Sequence, residues 1–187
     1  MTIEEIRKDL KKRLSPGRYQ HTIGVYYTAI CLAMRYQASL EQAGLAGLLH
    51  DCAKYGSDEA ILRRCEKHDI PLTEEDRVIL PPLHAKLGAY YAKNRYAVDD
   101  PDVLNAIEFH TTGRENMSLL EKIIFVADYI EPGRNKADHL KELRSLAFQD
   151  LDQTVLLIAK GTIDYLEKQK LPVMELTRDV YAYYLGE

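Results

Sequence analysis

Apolar and polar positions recur along the chain with helical spacing, and the alternation expected of strands is nearly absent. Residues 3–14 form a short amphipathic pattern. Ser15-Pro16 then reads as an N-cap followed by proline at the first helical position, opening a helix to about Tyr36. Ser39-Leu40-Glu41-Gln42 fits a capping box for a helix ending near His50, and a further helix covers 58–68 before the break at Ile70-Pro71. Pro81-Pro82 opens a helix to about Arg95, and Asp100-Pro101 opens the next, which ends in His110-Thr111-Thr112-Gly113. Ser118-Leu119-Leu120-Glu121 is a second capping box, for a helix stopped by Pro132. Three more helices follow near 138–147, 150–169 and 175–185. With no repeat and no flexible linker, the pattern predicts an all-α single domain of eight or more helices.

Several polar residues break into the apolar faces of these helices. His21 lines up with Val25, Ala29 and Leu32, and His110 with Val103, Ala106 and Ile107. Asp128 lines up with Leu120, Ile124 and Ala127, while His84 shares a face with Leu80, Leu87, Gly88 and Tyr91. The adjacent pair His50-Asp51 ends its own apolar stretch. An ionised aspartate buried without a partner costs several kcal/mol, on the order of the stability margin of a domain. Singly, a core-facing histidine is an ordinary structural residue, and Asp128 is equally a turn cap or a partner of Arg134. Together, on separate core faces, they point to a cation inside a helical bundle. Mixed imidazole and carboxylate donors suit iron, manganese, cobalt, nickel or zinc better than magnesium or calcium. His68 and His139 lie among charged neighbours and read as solvated surface groups.

The composition narrows the partners. The chain has 187 residues, 46% of them apolar, and a net charge of −4. Its basic cluster Arg7-Lys8-Lys11-Lys12-Arg13 is interleaved with Asp9, Leu10 and Leu14, which makes it one solvated helix face and disfavours nucleic acid as a partner. No apolar run approaches the roughly 18 residues of a membrane span. The first residues carry no signal pattern, and the three cysteines (Cys31, Cys52, Cys65) show no paired spacing. A cytoplasmic protein without disulfides is therefore expected, with Cys52 a conceivable but superfluous ligand.

Cations accompany the candidate ligands. Arg18 precedes His21 by three residues, Lys54 follows Asp51 by three, and Arg134 follows Asp128 by six. Guanidinium and ammonium groups in such places suit a polyphosphate. They serve equally as counter-ions, Lys54 for Asp58 or Arg134 for Glu131. Thr111, Thr112 and Gly113 add hydroxyl and backbone donors or simply end a helix.

The order His21, His50-Asp51, Asp128 resembles the HD superfamily of metal-dependent phosphohydrolases. The resemblance extends to its YqeK-type branch of symmetrical diadenosine tetraphosphate hydrolases, over roughly residues 15–185. It is carried by Arg18-Tyr-Gln-His-Thr-Ile-Gly-Val25, Leu49-His-Asp-Cys-Ala-Lys54, Phe109-His-Thr-Thr-Gly113 and, most specifically, Lys122-Ile-Ile-Phe-Val-Ala-Asp-Tyr-Ile-Glu-Pro-Gly-Arg134. It implies an HD-domain helical bundle spanning 1–187, with a motif-bearing core at about 15–135 and the helices of 138–185 packed on it. His21, His50, Asp51 and Asp128 would hold one iron. His84 and His110 would complete a second metal site bridged by Asp51, or face the substrate phosphates if there is one metal.

The implied reaction is attack of metal-activated water on phosphorus, giving two ADP from diadenosine tetraphosphate. Asp51, His84 and His110 are then catalytic, and Arg18, Lys54, His84, His110, Thr111 and Arg134 contact substrate. Two alternatives stand: an HD phosphohydrolase acting on nucleoside mono- or triphosphates or cyclic dinucleotides, and a non-catalytic nucleotide sensor. Tyr181, Tyr183 and Tyr184 either line a homodimer contact or seat the last helix on the bundle.

Overall fold

The structure, a computed structural model, describes residues 1–135 and 138–186. Among the described residues it is all helical: α1 (Ile3–Arg13), α2 (Pro16–Tyr36), α3 (Leu40–Leu49), α4 (Asp58–Lys67), α5 (Glu74–Val78), α6 (Leu83–Tyr96), α7 (Pro101–Glu108), α8 (Leu119–Ile130), α9 (Leu140–Leu146), α10 (Leu151–Lys168) and α11 (Glu175–Leu185). Helix starts follow the capping chemistry. The Ser15 hydroxyl accepts from the Arg18 N–H, Asp100 accepts from Asp102 and Val103, and Ser118 with Glu121 closes a full capping box.

Two local expectations are corrected. Ser39 caps α3, but Gln42 does not close the box; its amide donates to Asp100 Oδ2 at 2.7 Å and ties the starts of α3 and α7 together. The five-residue α5 was not anticipated, because one turn is too short to display a 3.6-residue period, although Thr73 and Asp76 form a capping box there.

The core is built around α2, α3, α7 and α8. α2 packs on α3 and α8, and α7 bridges α3, α6 and α8. Leu32, Leu48, Leu49, Leu87, Ile107, Ile123 and Ile124 are fully buried there. Each such side chain contributes roughly 1.5–3 kcal/mol of hydrophobic free energy. α2 and α3 meet closely at Gly47, where an added Cβ would stand 3.2 Å from the Ala29 Cβ and 3.3 Å from the α2 backbone. That approach carries the end of α3, and with it His50-Asp51, to the middle of α2. α10 covers α8, and α11 lies on α10. Tyr181 and Tyr184 pack against the core as α11 docks, while Tyr183 is exposed and its hydroxyl meets Asn116.

Candidate metal centre

Asp51 stands at the centre of the site, 2% exposed, in the turn that follows α3. Its two oxygens face different ligand sets. Oδ2 lies 3.2 Å from His50 Nε2 and 3.6 Å from His21 Nε2. Asp128 on α8 joins that side, its Oδ1 2.9 Å from His21 Nε2 and 3.9 Å from His50 Nε2. Oδ1 of Asp51 faces the other way, 3.1 Å from His84 Nε2 and 3.8 Å from His110 Nε2. His21, His50 and Asp51 thus form one group of convergent donors, and Asp51, His84 and His110 a second.

The chemistry of the donors fits a metal. His50 Nδ1 lies 2.7 Å from the Gly47 carbonyl, His84 Nδ1 2.7 Å from that of Pro81, and His110 Nδ1 2.7 Å from that of Ile107. Gly47 and Ile107 lie in the last turns of α3 and α7, where carbonyls lack helical partners, and Pro81 precedes α6. A proton on Nδ1 satisfies each carbonyl and leaves Nε2 as a bare lone pair aimed at the centre. Those lone pairs crowd together: His84 Nε2 is 3.2 Å from His110 Nε2, and His50 Nε2 is 3.3 Å from His21 Nε2. Facing lone pairs and a carboxylate repel one another unless a cation sits between them.

The electrostatics differ from one imidazole to the next. Burial and the neighbouring His50 and His84 push His110 down to about 3, so it is a neutral imidazole at physiological pH. Burial works against a positive charge on His50, but the Asp51 carboxylate overrides it and raises its pKa. Burial would raise Asp51 and Asp128, yet the imidazoles around them, with Arg134 beside Asp128, hold both carboxyls below their ordinary value.

The cations take two different places. Arg18 Nη1 bonds Asp51 Oδ2 at 2.8 Å, and Arg134 Nη2 bonds Asp128 Oδ1 at 2.7 Å, with 34% and 42% of their side chains exposed. Both therefore reach from a candidate ligand towards solvent. Lys54 stands behind His84, its Nζ 2.9 Å from His84 Nδ1 and 3.1 Å from the Pro81 carbonyl, on the side away from Asp51. Of the two threonines only Thr111 faces the centre, its hydroxyl 3.1 Å from His110 Nε2; Thr112 donates to the Gly113 carbonyl.

Other residues stand apart. Cys52 is buried with its thiol on the Gly88 carbonyl and belongs to neither donor group. His139 is exposed as expected, whereas His68, despite its charged sequence neighbours, is half-buried and stacked on Tyr90 with ring centroids 4.6 Å apart. One residue at the centre was overlooked: Glu131, 3% exposed, accepts from His21 Nδ1 at 3.1 Å. Its position after Asp128 suggested only a counter-ion for Arg134.

Among the described residues, an all-helical core that gathers four imidazoles and two carboxylates around Asp51 defines a helical domain that could hold a metal. The chain belongs to the HD domain family, whose model matches residues 18–133. Relatives share nearly its full length. A symmetrical bis(5'-nucleosyl)-tetraphosphatase of Halalkalibacterium halodurans is 43% identical, covering 95% of this chain and 94% of the relative. One of the same name from Bacillus subtilis is 41% identical, covering 92% of each. A crystal structure of a predicted HD superfamily hydrolase involved in NAD metabolism from Clostridium acetobutylicum superposes with a TM-score of 0.92 at 41% identity, covering 100% of this chain and 98% of that one.

Proposed function

We propose that this protein is a metal-dependent hydrolase that splits diadenosine tetraphosphate symmetrically into two molecules of ADP. The observation that carries the reading is the Asp51 carboxylate, one oxygen towards His21, His50 and Asp128 and the other towards His84 and His110. The near full-length likeness to symmetrical tetraphosphatases supplies the substrate class.

His21, His50, Asp51 and Asp128 would hold a first metal, and Asp51, His84 and His110 a second. Iron is our assignment, within a donor set that also accepts manganese, cobalt, nickel or zinc. When bound, the metal supplies Lewis acidity and lowers the pKa of water towards neutrality. Asp51 fixes the spacing of the two ligand sets. His84 and His110, with Nδ1 tied to backbone carbonyls, present their Nε2 atoms to the centre without rearrangement. Arg18 and Arg134 extend from Asp51 and Asp128 towards the open face, where they neutralise the polyphosphate. The Thr111 hydroxyl donates to a phosphate oxygen. Lys54 would reach the phosphates by leaving the Pro81 carbonyl, to which its Nζ donates beside His84.

Hydrolysis at the central anhydride consumes one water and releases ADP from each side. The test is protein purified without oxygen, its metal measured by elemental analysis, then supplied with diadenosine tetraphosphate and the products identified by mass. ADP alone is expected. ATP with AMP, or turnover confined to nucleoside mono- or triphosphates, overturns the substrate assignment.

A further inference from the structure

Three of the four central imidazoles are oriented by their own chain three residues upstream; His21 is not. It lies inside α2, where the preceding carbonyls are occupied by the helical ladder, so its Nδ1 has no free backbone acceptor nearby. Its acceptor is Glu131 Oε1, 110 positions away in sequence and 3.1 Å away in space.

The surroundings of Glu131 are cleared for that contact. An added Cβ at Gly24, one turn after His21 on α2, would lie 2.3 Å from Glu131 Oε2. An added Cβ at Gly133 would lie 3.0 Å from both carboxylate oxygens. Gly24 lies inside a helix, where glycine costs about 0.5–1 kcal/mol relative to alanine, so space for the carboxylate outweighs propensity. The Gly133 N–H donates to Oε2 at 2.6 Å and sets the second oxygen. Among the described residues no lysine or arginine pairs with this carboxylate; Arg144 bonds the Glu131 backbone carbonyl instead. A buried carboxylate that accepts from an imidazole N–H polarises that imidazole.

We propose that Glu131 is a positioning residue for metal binding: it fixes His21 as the Nδ1–H tautomer, strengthens its Nε2 as a donor, and makes the His21/His50/Asp128 set the tighter of the two. An imidazole hydrogen-bonded to a carboxylate is a more basic ligand than one bonded to a carbonyl. The first set has Asp128 and Glu131 beyond the shared Asp51, with Arg18 and Arg134 offsetting charge on Asp51 and Asp128, so its advantage lies in the Glu131–His21 bond. The second set has no further carboxylate and has Lys54 beside His84.

This inference rests on the two-set metal reading above, and its test separates the two. Metal-free wild type, E131Q, E131A and G24A are titrated with Mn2+, and stoichiometry and affinity are measured directly alongside the melting temperature of the metal-free proteins. E131A is expected to lose about 10- to 100-fold in the affinity of the tighter site, the range typical of outer-shell partners. E131Q, which still accepts the His21 proton but lacks the charge, should fall between E131A and wild type. G24A should weaken the same site by displacing an intact carboxylate, which covers the case in which E131A fails to fold. Wild-type affinity in E131Q and G24A, with only the melting temperature changed, overturns the proposal. A wild type that binds metal but leaves diadenosine tetraphosphate intact would instead overturn the functional reading and leave the affinity comparison standing.

Discussion

The two proposed ligand sets around Asp51 are built by different means. His84 and His110 sit at helix ends, and each is aimed by a carbonyl three residues upstream, so α6 and α7 each carry a complete oriented ligand. His21 and Asp128 are borne on the interiors of α2 and near the end of α8, and they are aimed by each other, by Glu131 and by Arg134. The first construction is local and survives as long as its helix does. The second exists only once α2, α3 and α8 have packed. A ligand set assembled from distant segments gains charge that a single helix end cannot supply, and it becomes more dependent on the integrity of the core.

The largest effect should come from the residue the two sets share. Asp51→Ala removes an oxygen from both, so metal content should fall to near zero and turnover to background together. Metal-stripped protein that retains turnover would sink the mechanism. Removing one set alone sharpens the comparison. His110→Ala should lower the metal bound from two ions per chain to one while the other set stays loaded. The lost Lewis acid is worth several kcal/mol of transition-state stabilisation, or about 10²–10⁴ in kcat/KM. Elemental analysis decides: one ion in both wild type and variant would mean that His84 and His110 contact phosphate and not metal.

Arg134→Ala probes the open face of the α2–α8 set. A hydrogen bond to a charged group is worth about 1.5–3 kcal/mol, so kcat/KM should fall about 10- to 100-fold with the metal retained. Loss of metal without a change in substrate kinetics would reassign Arg134 as a prop for Asp128.

How far the sequence foretold this follows the same division. His50, His84 and His110 were legible because end-of-helix signals and apolar stripes place them within a few residues of their own anchors. Asp128 was legible from its stripe on α8. Glu131 was not: nothing within a helical turn marks it as a partner of His21, and the nearest cation, Arg134, offered a simpler reading. The resting place of Lys54 was hidden for a related reason. Its three-residue offset from Asp51 suggested a cation beside that ligand, but α3 ends at Leu49 and the chain turns, which sends the ammonium behind His84. Helix starts were readable from Ser15, Asp100 and Ser118, whereas at Ser39 only the packing of α3 against α7 decides where Gln42 points.

The mildest test lies beside the locally built set. Asp76 on α5 is buried and bonds Lys86 Nζ on α6, two residues beyond His84, as well as the Thr73 N–H that starts α5. Burial raises the Asp76 pKa, but the Lys86 ammonium and the Thr73 bonds outweigh it and hold the carboxyl below its ordinary value. A carboxyl lower in the folded than in the unfolded state stabilises the fold fully above its unfolded value, and that stability is lost as pH falls through the folded value. Asp76→Asn should therefore cost about 1–2 kcal/mol in denaturant unfolding at pH 7, less than the 3–5 of a fully buried pair because Lys86 still reaches water. The gap from wild type should close as the pH drops below about 4, the ordinary range of an aspartate. Metal stoichiometry should not change, since His84 is aimed by Pro81 and not by this ion pair. If Asp76→Asn releases metal, the helix-end ligands depend on distant packing after all, and the contrast between the two sets fails.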